Sequence, residues 1–164
     1  MVLLGIDTFV QGNVSGLKRL RTGLLCNHAS VNKDLIHSRI LLHQKGLSLS
    51  CLFSPQHGFA AEKQDNMVES DHYTDDTTGL PVFSLYGTHR RPTGSMFDAI
   101  DVLLIDLLDV GTRVYTFIYT MAYCLEAAAK YDKKIIVLDR PNPIGGLGVE
   151  GNILKKEFTS FVGL

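Results

Sequence analysis

The sequence predicts an α/β fold: a doubly wound, mostly parallel sheet of the Rossmann-like kind, with helices on both faces. This prediction rests on four short apolar runs, at residues 22–26, 49–53, 102–105 and 135–138. A cluster of polar residues follows each run. Continuous apolar runs separated by helical stretches are typical of parallel strands buried on both faces. Ligands of open α/β sheets bind outside the carboxyl ends of the strands, so the repeated polar ends indicate a polar cleft.

The elements follow in order along the chain. Short apolar runs bounded by turn residues place strands at 20–26, 48–53, 80–86, 102–106, 133–138 and 149–154. Apolar residues at helical spacing place helices at 32–46, with Asn32 as its cap, at 92–100 and at 113–131. Residues 1–19 are interpreted as a lead-in. Residues 55–79 are a long polar loop, and such loops are usually functional or disordered.

Composition narrows the classes of function. The chain has 164 residues, 45% of them hydrophobic and 20% charged, with a net charge of −1, which favours one folded domain over disorder. Basic residues do not run in blocks, so nucleic acid and anionic membranes are not expected as partners. The sequence shows neither a signal peptide nor a bilayer-spanning segment, and the default compartment is the cytoplasm. The cysteines, without CxxC spacing, are interpreted as core residues.

The carboxyl-terminal residues suggest an incomplete domain pair. Phe158, Phe161, Val162 and Leu164 are apolar, and little polar sequence surrounds them. We therefore expect residues 1–164 to be one domain of a longer protein, truncated before a second domain. Residues 155–164 then either contact that missing domain or mediate self-association.

Two carboxylates follow the strand at 102–106. Asp106 and Asp109 lie three residues apart, and Gly111 and Arg113 come directly after them. Such a pair can share a proton, bind a cation or orient sugar hydroxyls, while Arg113 can hold an anionic group in a bidentate manner. The alternative is a structural salt bridge beside an acidic helix cap.

Polar residues also follow the strands that end near 26, 53 and 138. Asn27 and His28 follow the first, and the second leads into Ser54-Pro55-Gln56-His57-Gly58. His57 is a candidate acid, base or hydrogen-bond donor, or else a turn histidine bonded to nearby backbone. Gln56 cannot transfer a proton, but its amide can hold a hydroxyl or an N-acetyl carbonyl. The third strand leads into Asp139, Arg140 and Asn142, which two prolines present to a ligand.

Other polar segments are less specific. Residues 62–73 carry many groups that suit a sugar or a metal, or simply a solvated loop. His37 and His43 are interpreted as surface or rim residues of a helix, and His89-Arg90-Arg91 either attracts a carboxylate or forms an exposed loop. The chain lacks GxGxxG, P-loop, HExxH, paired CxxC and GxSxG signatures, so we expect no cofactor and no metal site.

Eight motifs together carry a resemblance that covers nearly the whole chain. In order they are CNHAS at 26–30, FSPQHG at 53–58, EKQDN at 62–66, GLPVFSLYG at 79–87, RPT at 91–93, DLLDVGTRVYT at 106–116, DRPNP at 139–143 and VEG at 149–151. In this combination the sequence resembles the family of exo-β-N-acetylmuramidases typified by NamZ. The resemblance implies a bacterial glycoside hydrolase that removes N-acetylmuramic acid from the non-reducing end of peptidoglycan fragments. It also implies a Rossmann-like N-terminal domain and a second domain, with the active site between them, in a family whose members can be exported.

Two positions depart from the family pattern. The family's proposed catalytic acid is the glutamate of a Pro-Glu-His-Gly motif, and this chain has Gln56 there. In a subset of the family with this glutamine, an EKQDN segment follows, and Glu62 is then the alternative source of the carboxyl group. Leu108 replaces the usual glutamine, which removes one polar contact.

The leading hypothesis is a glycosidase domain, and its site residues follow from these motifs. Catalytic candidates are Gln56, His57, Glu62, Asp106, Asp109 and Tyr115. Substrate-binding candidates are Asn27, His28, Arg113, Asp139, Arg140, Asn142 and Glu150; Arg113 or Arg140 would pair with the lactyl carboxylate of a peptidoglycan-derived saccharide. Retention and inversion both stay open, because they depend on the separation of two carboxyl groups. The rivals are a non-catalytic or vestigial sugar-binding module and a nucleotide-binding Rossmann domain.

Overall fold

The computed structural model of the protein describes residues 2–58, 61 and 71–163. Its strands are β1 Thr22–Cys26, β2 Leu49–Ser54, β3 Tyr73–Thr74, β4 Pro81–Ser84, β5 Val102–Asp106 and β6 Lys134–Val137. Its α-helices are α1 Gly5–Gln11, α2 Ser38–Gln44, α3 Gly94–Asp98 and α4 Phe117–Lys130. Short 3-10 helices cover Ser15–Leu17 and Lys156–Phe158. Within these residues, no helix is both long enough and apolar enough to cross a membrane.

The strands form a single mixed sheet in the order β3-β4-β2-β1-β5-β6. Every pairing is parallel except that of β3, which runs antiparallel to β4 at the edge. The predicted α/β fold with a mostly parallel sheet is thus confirmed. The chain builds outward from β1 through β2 to β4 and then returns to place β5 on the other side of β1. The crevice between the ends of β1 and β5 is therefore the topological switch point, where open α/β sheets bind ligands.

The helices cover both faces of the sheet. Successive strand residues point to opposite faces, and β1 divides its side chains accordingly. Leu24 packs in one buried cluster with Ile6 of α1 and Leu42 of α2. Leu25 packs in the other with Phe97 of α3 and with residues of α4 that include Cys124. All the cysteines are buried and free, in agreement with their interpretation as core residues.

The lead-in expected at residues 1–19 is wrong, because it contains α1. Besides the packing of Ile6, a backbone contact holds α1: the Gly5 N–H donates to the Asp139 carbonyl oxygen at 2.8 Å. A Cβ atom on Gly5 would lie 2.3 Å from the Asp139 nitrogen and 2.4 Å from the Leu138 carbonyl carbon. Glycine thus allows α1 to dock directly against the end of β6.

We expect Gly5→Ala to lower the free energy of unfolding by about 1–3 kcal/mol, the typical cost of forcing an added carbon into a packed contact. The backbone of β6 and its following residues cannot move without disturbing the sheet edge. Gly16→Ala is the matched control, because its Cβ would meet nothing within 4 Å. Denaturant melts of the two variants would contradict this account if both lost the same stability.

The helix expected from Asn32 begins later than predicted. The Asn32 side-chain oxygen accepts hydrogen bonds from the Asp34 and Ile36 N–H groups, at 3.0 and 2.8 Å, and so closes a loop. Leu35 lies in the left-handed region at φ 59 and is exposed. Asparagine side chains favour such local turns over helix, and α2 therefore begins at Ser38, with His37 as its cap.

The other boundary errors lie in the second half of the chain. Helix α4 begins at Phe117 rather than 113, and the strand expected at 149–154 is absent, since the described residues there have no ladder partner. At the end of the chain, Phe158 and Val162 are 66% and 46% exposed, as expected. Phe161 is instead half-buried against Tyr86 and Tyr123. Self-association through residues 155–164 stays a prediction.

Candidate active site

A buried ion pair occupies the ends of β5 and β6. Arg140 Nε donates to Asp106 Oδ1 at 2.6 Å, and an Arg140 terminal nitrogen donates to Asp106 Oδ2 at 3.0 Å. The same terminal nitrogen donates to the Val31 carbonyl oxygen at 2.9 Å. The side chains of Arg140 and Asp106 are 6% and 0% exposed. This geometry favours the structural salt bridge over the catalytic role expected for Asp106, and it leaves Arg140 committed to a carboxylate of its own chain.

The turn after β1 is bonded across the switch point to β5. The Ser30 hydroxyl donates to the Asp106 carbonyl oxygen, and the Asn27 N–H donates to Ser30 Oγ at 2.9 Å. Asn27 is fully buried, and its side-chain oxygen accepts from the Ala29 N–H at 3.1 Å. Its side-chain nitrogen is buried without a hydrogen-bond partner among the described residues. Asn27 therefore lies buried at the base of the crevice, while the adjacent His28 is exposed.

His37 supports the same turn from α2. The Arg39 N–H donates to His37 Nδ1 at 3.2 Å, so the proton of the neutral ring sits on Nε2, which donates to the Asn27 carbonyl oxygen at 2.8 Å. Burial lowers the pKa of His37 to about 4, despite the opposing effect of the Asn27 bond. The half-buried ring of His37 agrees with its interpretation as a rim residue, and it also connects α2 to the end of β1.

We expect the folded state to lose stability as the pH falls from about 6.5 to about 4. The unfolded histidine, with a pKa near 6.5, takes up a proton over this range, whereas His37 in the fold stays neutral until about pH 4. Because the unfolded state then binds more protons, stability declines as pH falls. For a half-buried ring the loss is on the order of 1–2 kcal/mol.

Denaturation curves of His37→Asn between pH 4 and 7 would measure this term, because asparagine keeps a capping side chain without a titrating ring. The His43→Asn variant is the control on the exposed side of the same helix. An unchanged pH slope in His37→Asn would exclude the histidine as its source.

Gln56 and His57 lie after β2, next to the start of α4. The Thr116 hydroxyl donates to Gln56 Oε1 at 2.8 Å, and Thr116 is buried at the cap position of α4. His57 adopts φ 72, and Gly58 adopts φ 77. Left-handed conformations at a non-glycine residue cost energy and often mark functional positions. The segment is thus fixed to α4 through Gln56 and presents a half-buried His57.

The loop after β5 contacts the loop after β6. Gly111 adopts φ 72, and a Cβ atom there would lie 2.6 Å from Asn142 Nδ2. The Gly111 N–H donates to Asp109 Oδ2 at 3.3 Å, while Asp109 Oδ1 is buried without a partner among the described residues. Gly111, Asn142 and Glu150 line a cleft of about 470 Å³ along the glycine-rich segment 145–148. Asp109 is thus linked through Gly111 to the cleft that Asn142 lines.

Tyr115 and Arg113 flank this loop. Burial raises the pKa of Tyr115, and the nearby negative charge of Asp109 adds to the increase. The tyrosine therefore stays a hydroxyl donor, and its ring packs on Phe117 with centroids 4.6 Å apart. Arg113 is exposed and donates to the Asn152 carbonyl oxygen at 2.5 Å.

The predicted residues thus gather at one edge of the sheet in linked groups. Asn27, Asp106 and Arg140 form its buried base, and Gln56 and His57 lie at the start of α4. Gly111, Asn142 and Glu150 line the cleft, and Asp109 accepts a hydrogen bond from Gly111. The Asp139 carbonyl oxygen binds α1 while its side chain is exposed. Glu62 lies outside the described residues. Convergence of all these side chains on a single pocket stays a prediction.

Sequence reasoning missed Ser30, His37 and Thr116. The first and last carried a recognisable signal: Ser30 follows Asn27 at the spacing of an asparagine turn, and Thr116 precedes an apolar helical repeat as caps do. His37 carried none, because its partner is the carbonyl oxygen of a residue ten positions earlier. Within the described part of the chain, no three His, Cys, Asp or Glu side chains form a group suited to a metal ion.

Comparison with known proteins agrees with this architecture. The sequence profile described as "Exo-beta-N-acetylmuramidase NamZ, N-terminal" matches residues 22–164. The chain belongs to the NamZ N-terminal family. It is 46% identical to the peptidoglycan beta-N-acetylmuramidase NamZ of Bacillus subtilis (strain 168), over 99% of this chain and 39% of that protein.

Two solved structures share the fold of this NamZ N-terminal family member. Both are DUF1343 family proteins from Bacteroides fragilis, at 41% identity with a TM-score of 0.88 and at 32% identity with a TM-score of 0.80. Each alignment covers 98% of this chain and 40% of the other. The chain therefore spans about two fifths of the length of the relatives that it matches.

Proposed function

We propose that this chain is the N-terminal part of a peptidoglycan-acting glycoside hydrolase that releases N-acetylmuramic acid from non-reducing ends. The observation that carries the proposal is its 46% identity with a peptidoglycan beta-N-acetylmuramidase across 99% of this chain. The polar edge at the switch point supports it, because open α/β sheets bind their ligands there.

The residues at this edge suit glycoside hydrolysis. The reaction needs one group to protonate the leaving oxygen and another to activate water, act as a nucleophile or stabilise the oxocarbenium ion. Asp109 suits the second role, because its Oδ1 is buried without a hydrogen-bond partner among the described residues. A buried carboxylate oxygen needs a donor, which a ligand hydroxyl or a water molecule can supply. Tyr115, kept protonated by its raised pKa, can donate a hydrogen bond beside it. Glu62 is our candidate for the acid.

Binding of the muramic acid substituents can be divided among the remaining residues. Thr116 holds the side-chain oxygen of Gln56, which leaves the amide nitrogen to donate to an N-acetyl carbonyl. Arg140 is saturated by Asp106 and Val31, so it is a poor partner for the lactyl carboxylate. Arg113, exposed and bonded to Asn152, is the better one, because its guanidinium retains N–H donors for a carboxylate.

A non-catalytic sugar-binding module is the second candidate. One observation favours it: Gln56 replaces the glutamate that the family resemblance assigns as the acid, and an amide cannot transfer a proton. Both candidates bind the sugar, but only the hydrolase cleaves the glycosidic bond.

Hydrolysis of para-nitrophenyl N-acetylmuramic acid separates them. The assay is run with this chain and with any longer form of the protein, and binding of N-acetylmuramic acid is measured in parallel. Release of para-nitrophenol by either form supports the hydrolase. Saturable sugar binding without release by any form supports the binding module and rejects the enzyme.

A further inference from the structure

A second cleft, away from the glycine-rich segment, combines arginines with aromatic rings. It has a volume of about 500 Å³ and lies between the loop after β4, helix α4 and the carboxyl-terminal segment. We call it the arginine–aromatic cleft and define it by His89, Arg90, Arg91, Tyr123 and Phe161. None of these residues takes part in the proposed hydrolysis.

The aromatic side chains form a continuous stack beneath the arginines. Phe161 packs between Tyr86 and Tyr123, with ring centroids 5.9 Å apart in both pairs. The Arg90 guanidinium carbon lies 5.0 Å from the Tyr86 ring centre and 5.1 Å from that of Phe161. The guanidinium of Arg91 lies 3.8 Å above the Tyr123 ring. Stacking through the face of a guanidinium leaves its N–H edge available for in-plane hydrogen bonds.

The charge in the cleft is positive and only partly compensated. Glu126 forms a salt bridge with Arg91. Arg90 has no carboxylate partner among the described residues, and no acidic residue lines the cleft. An uncompensated guanidinium matches a carboxylate in charge, and its planar fork of N–H donors matches the carboxylate in geometry.

The cleft is connected to the candidate active site by α4. Thr116, which holds Gln56, precedes Tyr123 by seven residues of the sequence, which is about 10 Å along a helix axis. A saccharide longer than one residue that occupies the active-site edge can therefore extend toward the arginine–aromatic cleft.

We propose that the arginine–aromatic cleft is an accessory binding site for a carboxylated saccharide, in which Arg90 pairs with the acid group. The aromatic stack supplies apolar surface for the sugar ring, and the Arg90 edge supplies the donors for the carboxylate. The choice of a muramic acid unit as the ligand rests on the proposed function. Such a site favours substrates that carry a second acidic sugar.

Binding measured by NMR on the intact chain tests the proposal. N-acetylmuramic acid should shift the ring signals of Tyr123 and Phe161 and the side-chain N–H signal of Arg90. N-acetylglucosamine, which lacks the lactyl acid, should leave them unchanged at equal concentration. Inorganic phosphate, which has no sugar ring to contact the aromatic stack, should shift the Arg90 signal alone. Equal shifts with either of these probes, or no shift with N-acetylmuramic acid, would overturn the assignment.

Substitutions at Arg90 complete the test. Arg90→Gln should weaken N-acetylmuramic acid binding at this cleft about tenfold, as expected when a charge-assisted hydrogen bond is lost. Arg19→Gln is the matched control, because it removes the same charge from an exposed residue before β1. Arg90→Lys keeps the charge but lacks the planar fork of donors, and it should bind N-acetylmuramic acid with intermediate strength. This variant provides the test if Arg90→Gln folds poorly.

The results also separate this inference from the proposed function. Sugar binding that depends on Arg90, without hydrolysis, supports the cleft and rejects catalysis. If the protein hydrolyses the glycoside and Arg90→Gln leaves N-acetylmuramic acid binding unchanged, the proposed function is supported and the accessory site is rejected.

Discussion

Replacing Arg140 with methionine is expected to lower the free energy of unfolding by about 3–5 kcal/mol, the typical cost of removing one partner from a buried ion pair. The variant leaves Asp106 fully buried at the end of a central strand, with its bidentate partner removed. It also removes the donor to the Val31 carbonyl oxygen. Urea or guanidinium denaturation at neutral pH measures the loss.

The Arg21–Asp101 pair provides the matched control. It too joins an arginine to an aspartate through several hydrogen bonds, but its side chains are 51% and 35% exposed. Arg21→Met should therefore cost far less stability than Arg140→Met, because solvent screens an exposed pair. The double variant Asp106→Leu/Arg140→Met should be more stable than Arg140→Met alone, because it leaves no unpaired charge. If Arg140→Met and Arg21→Met lose similar stability, burial does not determine the cost of removing the arginine.

Replacing Glu62 with glutamine is expected to lower the turnover of para-nitrophenyl N-acetylmuramic acid about 10²–10⁴-fold, the usual contribution of a general acid or base. Gln56 occupies the position of the family's proposed acid and carries no transferable proton. If the chain contributes its own acid from this region, Glu62 of the EKQDN motif is our candidate for it. The form of the protein that hydrolyses the glycoside is used, and kcat is measured across the pH range.

Gln56→Glu is the informative companion to this variant. The Thr116 hydroxyl can still donate to a glutamate at position 56, and partial burial there would raise the glutamate pKa into the range of a general acid. We expect Gln56→Glu to restore part of the turnover lost in Glu62→Gln. Unchanged turnover in Glu62→Gln, together with increased turnover in Gln56→Glu alone, would remove Glu62 from the mechanism and identify position 56 as the vacated acid position.

Several parts of the candidate site could be predicted before the structure was known. Asn27, Asp109 and Asn142 follow the apolar runs, which predicts them at one edge of a parallel sheet. Parallel strands joined by βαβ crossovers all have their carboxyl ends at the same edge. The contact between Gly111 and Asn142 follows from the adjacency of β5 and β6. Asp106 was harder to interpret. Its motif fitted both a catalytic carboxylate and a salt bridge, and the residue that decides between them, Arg140, lies 34 positions later.

The sequence by itself determined the fold class, the approximate strands and the polar character of one sheet edge, because apolar period and turn residues are local properties of the chain. The tertiary structure alone decided which side chains remain available at that edge. It paired Asp106 with Arg140, bonded Ser30 to the Asp106 carbonyl oxygen and His37 to that of Asn27, and fixed Gln56 to Thr116. It also placed Phe161 under Arg90. These contacts join residues distant in sequence, and burial at the switch point, which no local pattern records, sets their strength.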